Sequence, residues 1–587
     1  MRRVLLFMFI CAAALFFVTR DSVAAPKKPT RGQSQAFAAL ADEILKALQS
    51  FYPVKATEMG IHTYDHRFAD YSTRSVKGMI SRLKQFEGRL GKLKNIGFEP
   101  EEMVNYKLIK SNVDVALLEL EKIAWYKKSP LLYAEETVNG LYYLVLSSHD
   151  TPAGKLPAIL GRMRQVAALL ATARTEIQAP PKVFVDAAKT TLETGSEFYR
   201  SVASDLMQLF PARADSILSI ATSAREAMHS FIEYLDSIPV GDEKSFAIGK
   251  ENFNYLLANE HFLSFSADSL EKLGESLLEE ASKAYDSFEA TVEKNHQPGQ
   301  DSVFVPSTFT RSDILDYYQW EVDQVRKYLE MNHVLTVPED IAPVRVVETP
   351  PMLRTLISSI AYQPAGPFDH QQVGYFYVRP LPDSMDQAQL DARYRFVHRR
   401  GFKGSVVHEA FPGHHLQMQI AGRNENPIRK WQRNNLMIEG WALYSEEMMY
   451  KFGLFGTENP AQWLAILGGI RFRAARIVAD VKLHTGQWSF DECVDWMIRT
   501  LNINTESEEE FVRKEVLRYT STPTVQMSYL MGKREIERLR DLMQFREGYN
   551  FSEQVFYDKL LSAGSIPPSL IWELWQLNTA EPQTSSN

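Results

Sequence analysis

The sequence predicts a mainly α-helical protein with one small antiparallel β-sheet, folded as a large two-lobed body around a deep cleft. Apolar residues recur at helical spacing in segment after segment, whereas one stretch from Val344 is rich in β-branched and aromatic residues between prolines and glycines. The chain has 587 residues and no Pro-, Gly- or Ser-rich linker. We therefore expect one integrated domain over residues 26–587, with an N-terminal helical region (26–340) and a C-terminal region (341–587).

Residues 1–25 have the pattern of a signal peptide. Arg2 and Arg3 precede an apolar run, Val4–Val18, and small residues follow at 22–25. The run of 15 residues is shorter than the roughly 20 that a spanning helix needs, although an uncleaved anchor is the alternative. We expect an exported protein, periplasmic or secreted, without stable membrane association after cleavage. Its single remaining cysteine, Cys493, excludes an intramolecular disulfide.

Long amphipathic helices are predicted through the N-terminal region. Their apolar stripes indicate core packing rather than cofactor contacts. Charge also limits the partners: the formal net charge is −8, and the signal segment that is removed carries a net positive charge. An acidic exported chain is not expected to bind nucleic acid. The predicted helices cover residues 34–52, 76–93, 101–123, 155–178, 182–209, 212–236, 267–294 and 311–331.

The predicted sheet comes next, from the alternating segments 344–349 and 375–379. A helix or broken helix should follow over residues 394–419, and then helices at 461–484, 490–502 and 508–518. Ser489 and Ser507 are the expected N-caps of the last two. Pro523 should begin a further helix, and residues 552–576 should form two short ones.

Three of the thirteen histidines lie close together in the broken-helix segment: His408, His414 and His415. A neutral imidazole is a common transition-metal ligand, and Glu409, beside the first, can accept a proton from a water on the metal. The His-Glu-x-x-His signature is absent, because Pro412 stands where its second histidine would be. In a straight helix His414 would point roughly 120° away from His408, and His415 would lie roughly 10 Å along the axis.

A bend at Pro412 and Gly413 solves this problem. Proline lacks the N–H of the helical hydrogen bond and glycine tolerates unusual dihedral angles, so two residues can loop out of the helix. His414 would then return to the angular position of a normal fifth residue. We therefore prefer His408 and His414 as ligands, with His415 in reserve.

A third ligand is expected from the next helix. Glu439 lies 25 residues beyond His414, and Glu446 follows at i+7 on the same helical face. Two imidazoles and a carboxylate suit Zn²⁺ best, and we expect one ion per chain. The alternative is that the histidines are satisfied core or surface groups, but buried charge is costly unless it is paired or bound to metal.

The runs His-Glu-x-x-Pro-Gly-His-His-x-Gln from His408 and Glu-Gly-Trp-Ala-x-Tyr-x-Glu from Glu439 resemble the bacterial family of domain of unknown function 885. The resemblance extends over roughly residues 370–565. It implies a helical, gluzincin-like metallopeptidase fold with zinc, in which an edge strand of the sheet pairs with the substrate. Within this pattern, the candidates for stabilising an oxyanion are Arg476, His484, Tyr519 and Tyr529. Glu446 and Asp480 are the expected groups that orient the ligand imidazoles.

The leading expectation is an exported zinc metallopeptidase that cuts oligopeptides, with Glu409 as general base. One alternative is a zinc-dependent amidase or esterase acting on a small molecule or cell-wall fragment. Another is a non-catalytic binding protein with a structural metal site. Carboxypeptidase action would also need a cation for the terminal carboxylate, and Arg379, Arg473 and Arg518 remain open candidates.

Overall fold

The fold is described by a computed structural model over residues 30–94, 96–295, 311–354, 360–381, 384–392, 403–456 and 460–577. The predicted signal peptide and the expected start of the broken helix at 394–402 lie outside these residues. About 73% of the described residues are helical, and the same residues include one three-stranded sheet. The mainly helical prediction is therefore confirmed.

The N-terminal region is a succession of helices; those between Pro130 and Ser237 pack on one another, whereas Ala267–Asn295 packs mainly on a helix of the C-terminal region. Most apolar stripes of these helices face one core that includes residues from Phe37 to Leu577, whereas the helices Lys250–Asn259 and Ala267–Asn295 pack in a second cluster. A short π-helical turn, Leu118–Ile123, extends the fourth helix. The helices are α1 (Arg31–Phe51), α2 (Pro53–Glu58), α3 (Thr73–Gly91), α4 (Pro100–Leu117), α5 (Trp125–Lys128), α6 (Pro130–Leu146), α7 (Pro152–Glu176), α8 (Lys182–Leu209), α9 (Ala214–Ser237), α10 (Lys250–Asn259), α11 (Ala267–Asn295) and α12 (Arg311–Asn332).

The sheet is mixed, which corrects the prediction of an antiparallel one. Its strands are β1 (Val344–Glu348), β2 (Ile360–Gln363) and β3 (Gly374–Val378), in the order β1-β3-β2. β2 pairs antiparallel with β3, but β1 pairs parallel with it. The reason is topological. β2 follows β1 in sequence but occupies the opposite edge of the sheet. β3 then fills the central position and runs antiparallel to β2, in the same direction as β1.

The C-terminal region carries the predicted helices in the predicted order, except that the helix expected from Pro523 begins at Ser528. Residues 523–527 form turns instead, because Asp480 accepts hydrogen bonds from the backbone N–H groups of Thr524 and Met527. Residues 387–392 are also helical. Ser489 does cap its helix, but Thr505, not Ser507, caps the helix after it, because that helix begins at Glu506. The helices are α13 (Lys403–Glu409), α14 (His414–Gly422), α15 (Pro427–Trp431), α16 (Asn435–Lys451), α17 (Pro460–His484), α18 (Phe490–Leu501), α19 (Glu506–Ser521), α20 (Ser528–Glu547), α21 (Glu553–Ser562) and α22 (Pro568–Leu574).

The pairing of α16 with α20 is unusually close. A Cβ added to Gly440 would lie 2.5 Å from the backbone of Gly532, so the two helices touch backbone to backbone. Helix α17 packs along α11. None of the helices in the described part of the chain combines the length and hydrophobicity of a bilayer-spanning segment.

Candidate metal centre

The helix that carries the histidines is interrupted at the predicted position. Helix α13 ends at Glu409 and α14 begins at His414, with a cis peptide bond between Phe411 and Pro412. The Leu416 N–H donates to the carbonyl of Ala410, six residues back instead of four, at 3.2 Å. The chain therefore loops two residues out of the helix.

Gly413 makes this bend sterically possible. A Cβ added there would lie 1.9 Å from the carbonyl oxygen of His408 and 2.3 Å from that of Val407. Both atoms belong to the backbone of the preceding helical turn, so neither can move aside. Any side chain at this position would force α13 and α14 apart and change the relative placement of the two histidines.

The bend brings His408 and His414 together, and α16 adds Glu439. One donor atom from each lies within 4.8 Å of the other two. Glu439 Oε2 is 3.4 Å from His414 Nε2 and 3.7 Å from His408 Nε2. Hydrogen bonds of this type are normally 2.7–3.2 Å, so these separations are too long. Tetrahedral ligands that each lie about 2.0–2.1 Å from zinc are about 3.3–3.4 Å apart, so they match the spacing of a ligand set.

Glu439 Oε2 is buried and accepts no hydrogen bond from any described residue. A buried carboxylate oxygen without a partner is costly, and it is rare in folded proteins. Burial alone would raise the pKa of Glu439, but the electrostatic effect of the nearby His414 and His408 imidazoles brings it well below its usual value. The carboxylate is thus held ionised at a position where a cation would satisfy it.

Glu446, seven residues after Glu439 in α16, orients the imidazole of His408. Its Oε1 lies 2.8 Å from His408 Nδ1, which leaves Nε2 facing Glu439. Burial opposes ionisation, but the hydrogen bond with His408 and the charge of Arg473 lower the pKa of Glu446. The carboxylates of Glu439 and Glu446 together outweigh the effect of burial and raise the pKa of His408 to about 10. His414 has no such partner, since its Nδ1 is buried and unpaired among the described residues.

Glu409 is the last residue of α13 and directly follows His408. It is partly exposed, and it makes no hydrogen bond or ion pair with the described residues. Its carboxylate therefore remains available to a small molecule beside the three donors.

Trp441 links the two motifs, a connection that the sequence did not reveal. Its indole Nε1–H donates to the carbonyl oxygen of Pro412 at 2.8 Å, and the side chain is fully buried. The bend of one motif is thus fixed by the residue that lies two positions after Glu439 in the other. This bond, with the Gly440 contact, explains why Gly-Trp follows the candidate ligand.

Tyr529 is the predicted oxyanion candidate that lies nearest the cluster. Burial and then the negative charge of Glu439 raise the pKa of its hydroxyl to about 12, so the phenol remains protonated at neutral pH. The hydroxyl has no hydrogen-bond partner among the described residues. The guanidinium carbons of Arg476 and Arg473 lie 4.7 and 5.8 Å from the ring centroid.

Arg476 and Tyr519 are committed to a buried network instead. Arg476 Nε donates to the Tyr519 hydroxyl at 2.7 Å, and that hydroxyl donates to Glu515 at 3.2 Å. Arg476 also forms an ion pair with Glu515. These two residues position Tyr529 through the Arg476 side chain beneath its ring, while Nε and Nη2 of Arg476 are engaged by Tyr519 and Glu515.

The structure does not place His484 and Asp480 at the cluster. His484 is fully buried, its Nε2–H donates to the carbonyl of Tyr519 at 2.9 Å, and burial lowers its pKa to about 4. Asp480 accepts from the backbone N–H groups of Thr524 and Met527, each at 3.0 Å, so it stabilises the turn before α20. Both lie on α17 beyond Arg473, which contacts Glu446, and His484 is roughly 16 Å farther along the axis.

His415, the reserve ligand, also lies outside the cluster. Its Nδ1 is 2.9 Å from the Tyr362 hydroxyl and its Nε2 is 2.8 Å from the carbonyl oxygen of Ala342. The ring is fully buried, which lowers its pKa to about 4. With both nitrogens in hydrogen bonds, His415 joins α14 to β2 and has no free position for a metal.

The three open arginine candidates occupy different surroundings. Arg379 donates to the carbonyl of Arg354, and Arg518 pairs with Glu515 at 2.9 Å. Arg473 is 3.8 Å from Glu446, and its Nε is buried without a partner among the described residues. Arg473 therefore lies beside Glu446, the residue that orients His408.

A second group with metal-ligand chemistry consists of His62, Asp65 and His149. Its distances differ from those of the first group. Both nitrogens of His62 are 2.8 Å from carboxylates, one of Asp65 and one of Asp369. The His149 ring stacks on His62 with centroids 3.5 Å apart. These are satisfied hydrogen bonds, so this group joins α2 and its following turn to the segment between β2 and β3.

A family model described as "Bacterial protein of unknown function (DUF885)" matches residues 53–574. The comparison with curated proteins gives no match. Two solved structures share the fold, and their low identity supports no more than that. One is described as a putative lipoprotein of unknown function from Shewanella oneidensis; it is 20% identical, with a TM-score of 0.71, over 92% of this chain and 100% of that one. The other, a putative lipoprotein from Colwellia psychrerythraea, is 18% identical, with a TM-score of 0.73, over 93% and 99%.

Proposed function

The chain belongs to the DUF885 family of bacterial proteins of unknown function, and from its own side chains we propose that it is a zinc-dependent metallopeptidase. The observation that carries this proposal is the unpaired, buried Oε2 of Glu439, which faces two imidazole nitrogens at ligand spacing. A structural ion would need the same three donors. A hydrolase also needs a free base beside them, and Glu409 supplies one.

Zinc held by His408, His414 and Glu439 would lower the pKa of a water molecule to about 7 and polarise a substrate carbonyl. Glu409 accepts the proton of the attacking water and then transfers it to the leaving amine, so the C–N bond breaks without release of a free amide anion. Glu446 keeps Nδ1 of His408 engaged, which leaves Nε2 as the ligand atom.

Negative charge on the carbonyl oxygen needs a donor besides the metal. Tyr529 is the best candidate, because its hydroxyl is protonated, unpaired and close enough to Glu439 to sense that charge. Arg476 and Tyr519 hold the ring from below and need not touch the substrate. One donor of this kind contributes on the order of 10²–10³-fold to the rate.

The substrate that we propose is a short peptide in a deep cleft between two helical lobes. The strand β2 supports a peptide because it is a sheet edge beside the histidines, with the Tyr362 ring centroid 6.5 Å from that of His414. An extended backbone can hydrogen-bond to such an edge. The signal-like segment 1–25 and relatives described as lipoproteins both favour action outside the cytoplasm.

Glu409→Gln tests the proposal, with Glu425→Gln as a matched control in the same segment, because Glu425 is an exposed acid. Both variants should bind one zinc per chain. Glu409→Gln should lose about 10²–10⁴-fold in peptide hydrolysis, whereas the control should retain it. Full activity in Glu409→Gln would refute the mechanism. Wild-type cleavage of simple esters but not of any peptide in a mixed library would favour the esterase alternative.

A further inference from the structure

A polar cavity lies on the N-terminal side of α16 and is not lined by any of the three candidate ligands. Its volume is about 180 Å³, and it lies between α1, α2, α4 and the segment that precedes α16. One water molecule needs only about 10–15 Å³ of such space. The cavity therefore has room for several water molecules or for one small molecule such as an amino acid.

Four charged side chains line this cavity: Lys55, Glu119, Glu260 and Arg433. None of them forms an ion pair with another among the described residues. The two guanidinium contacts of Arg433 are with sulfur, Met59 Sδ at 3.2 Å from Nε and a second methionine. Thioether sulfur is a weak acceptor, so the positive charge of Arg433 has no oxygen partner.

Polar atoms without partners lie beside the charges. The Tyr52 hydroxyl and the Asn112 amide nitrogen are both buried, and neither makes a hydrogen bond to the described residues. Burial raises the pKa of Glu119 to about 7 and that of Glu260 to about 7, although Lys55 opposes both shifts. Glu119 and Arg433 are half-buried, whereas Lys55 lies exposed at the rim. A partly buried charge that lacks a partner is costly, and a ligand with groups of both signs would relieve this cost.

We propose that this cavity binds a free α-amino acid as its zwitterion. The ammonium group lies between the carboxylates of Glu119 and Glu260. The carboxylate is held by the guanidinium of Arg433 and the ammonium of Lys55. Each ligand charge then meets two side chains of opposite sign, and the net charge of the cavity is unchanged.

Arg433 lies on the side of the cavity that faces the metal-site helices. Its Nη1 is 3.5 Å from the sulfur of Met418, one helical turn beyond His414 in α14. The charge of Arg433 also lowers the pKa of the Tyr362 hydroxyl against the larger effect of burial. The site is thus adjacent to the candidate centre but shares no ligand residue with it, so the proposal does not depend on zinc or on hydrolysis.

Calorimetric titration of the zinc-free protein with each of the twenty common amino acids tests the proposal. At least one should bind with a Kd on the order of 1 mM or lower. Its N-acetyl derivative, which lacks the ammonium, and its amide, which lacks the carboxylate, should each bind at least tenfold more weakly. Absence of binding by all twenty overturns the proposal, as does equal binding of either derivative.

Two variants with matched controls locate the binding. Arg433→Gln and Glu119→Gln should each weaken it at least tenfold. Arg423→Gln removes an exposed arginine that pairs with Asp340, and Glu121→Gln removes an exposed glutamate that pairs with Lys84; both controls should bind normally. Wild-type affinity in the two cavity variants would place the ligand elsewhere and refute the assignment. If a variant does not fold, the comparison of ligands in the wild-type protein still decides.

Discussion

Replacement of Glu446 should weaken zinc binding although Glu446 is not a ligand. The carboxylate receives the Nδ1–H of His408 at 2.8 Å and is ionised at neutral pH. It thereby fixes the ring so that Nε2 faces Glu439, and it makes the imidazole a better donor. Glu446→Gln keeps an acceptor but removes the charge, so we expect about a tenfold loss in affinity. Glu446→Ala removes both the acceptor and the charge, and it should lower the affinity for zinc about a hundredfold, or by roughly 2.7 kcal/mol.

The neighbouring residue provides the control. Glu447 has the same charge on the same helix, but it pairs with Lys451 at 2.6 Å and with Lys533 at 2.9 Å, away from the histidines. Glu447→Gln should therefore bind zinc as the wild type does. Competition with a chromophoric chelator measures all four affinities. Equal losses in the 446 and 447 variants would mean a general effect of charge or stability, and no loss in either 446 variant would refute the orienting role.

Three further outcomes are expected. Trp441→Phe leaves the buried carbonyl of Pro412 without its donor, so urea unfolding should show a loss of about 1–3 kcal/mol; an unchanged midpoint would contradict the link between the motifs. Two carboxylate hydrogen bonds outweigh burial and raise the pKa of His62 from 6.5 to about 9. The contribution of His62 to the free energy of unfolding is therefore complete below pH 6.5 and is lost towards about pH 9. Relative to His62→Gln, the wild type should lose roughly 3 kcal/mol over this range; parallel profiles of stability against pH for the two proteins would contradict this. Because the pKa of metal-free His408 is raised to about 10, zinc should release at least one proton near neutral pH, measured by calorimetry in buffers of different ionisation enthalpy; no release would exclude His408 as a ligand.

The long amphipathic helices were predictable because their apolar stripes repeat with the period of the structure, as in α8, which has the predicted bounds of 182 and 209. Helix α6 was missed for the opposite reason. It is buried on most of its surface, so its apolar residues form no single stripe. Two strands, β1 and β3, were located correctly, whereas β2 was not predicted. The strand directions depend on which edge β2 occupies, and sequence alternation does not report that.

The bend at the site was predictable because Pro412 and Gly413 each restrict the backbone locally. The bond from Trp441 to Pro412 and the contact of Gly440 with Gly532 were not predictable, since both depend on which helices meet. His415 shows the same limit. Adjacent histidines look equivalent in sequence, but its ring points to β2 and the carbonyl of Ala342.

Residues on α17 were the least predictable. Arg476 and Asp480 lie about one turn apart, yet the first packs beneath Tyr529 and the second stabilises the turn before α20. A sequence gives their spacing along the helix but not the elements that each side of the helix contacts.

The most direct test of the metal site is anomalous diffraction at the zinc edge from crystals of the zinc-loaded protein, with elemental analysis of the same sample. We predict one zinc per chain and one peak, bonded to His408 Nε2, His414 Nε2 and Glu439, and we predict that both are lost in Glu439→Ala. A peak at the His62 group instead, or stoichiometric zinc in Glu439→Ala, would contradict the proposed centre.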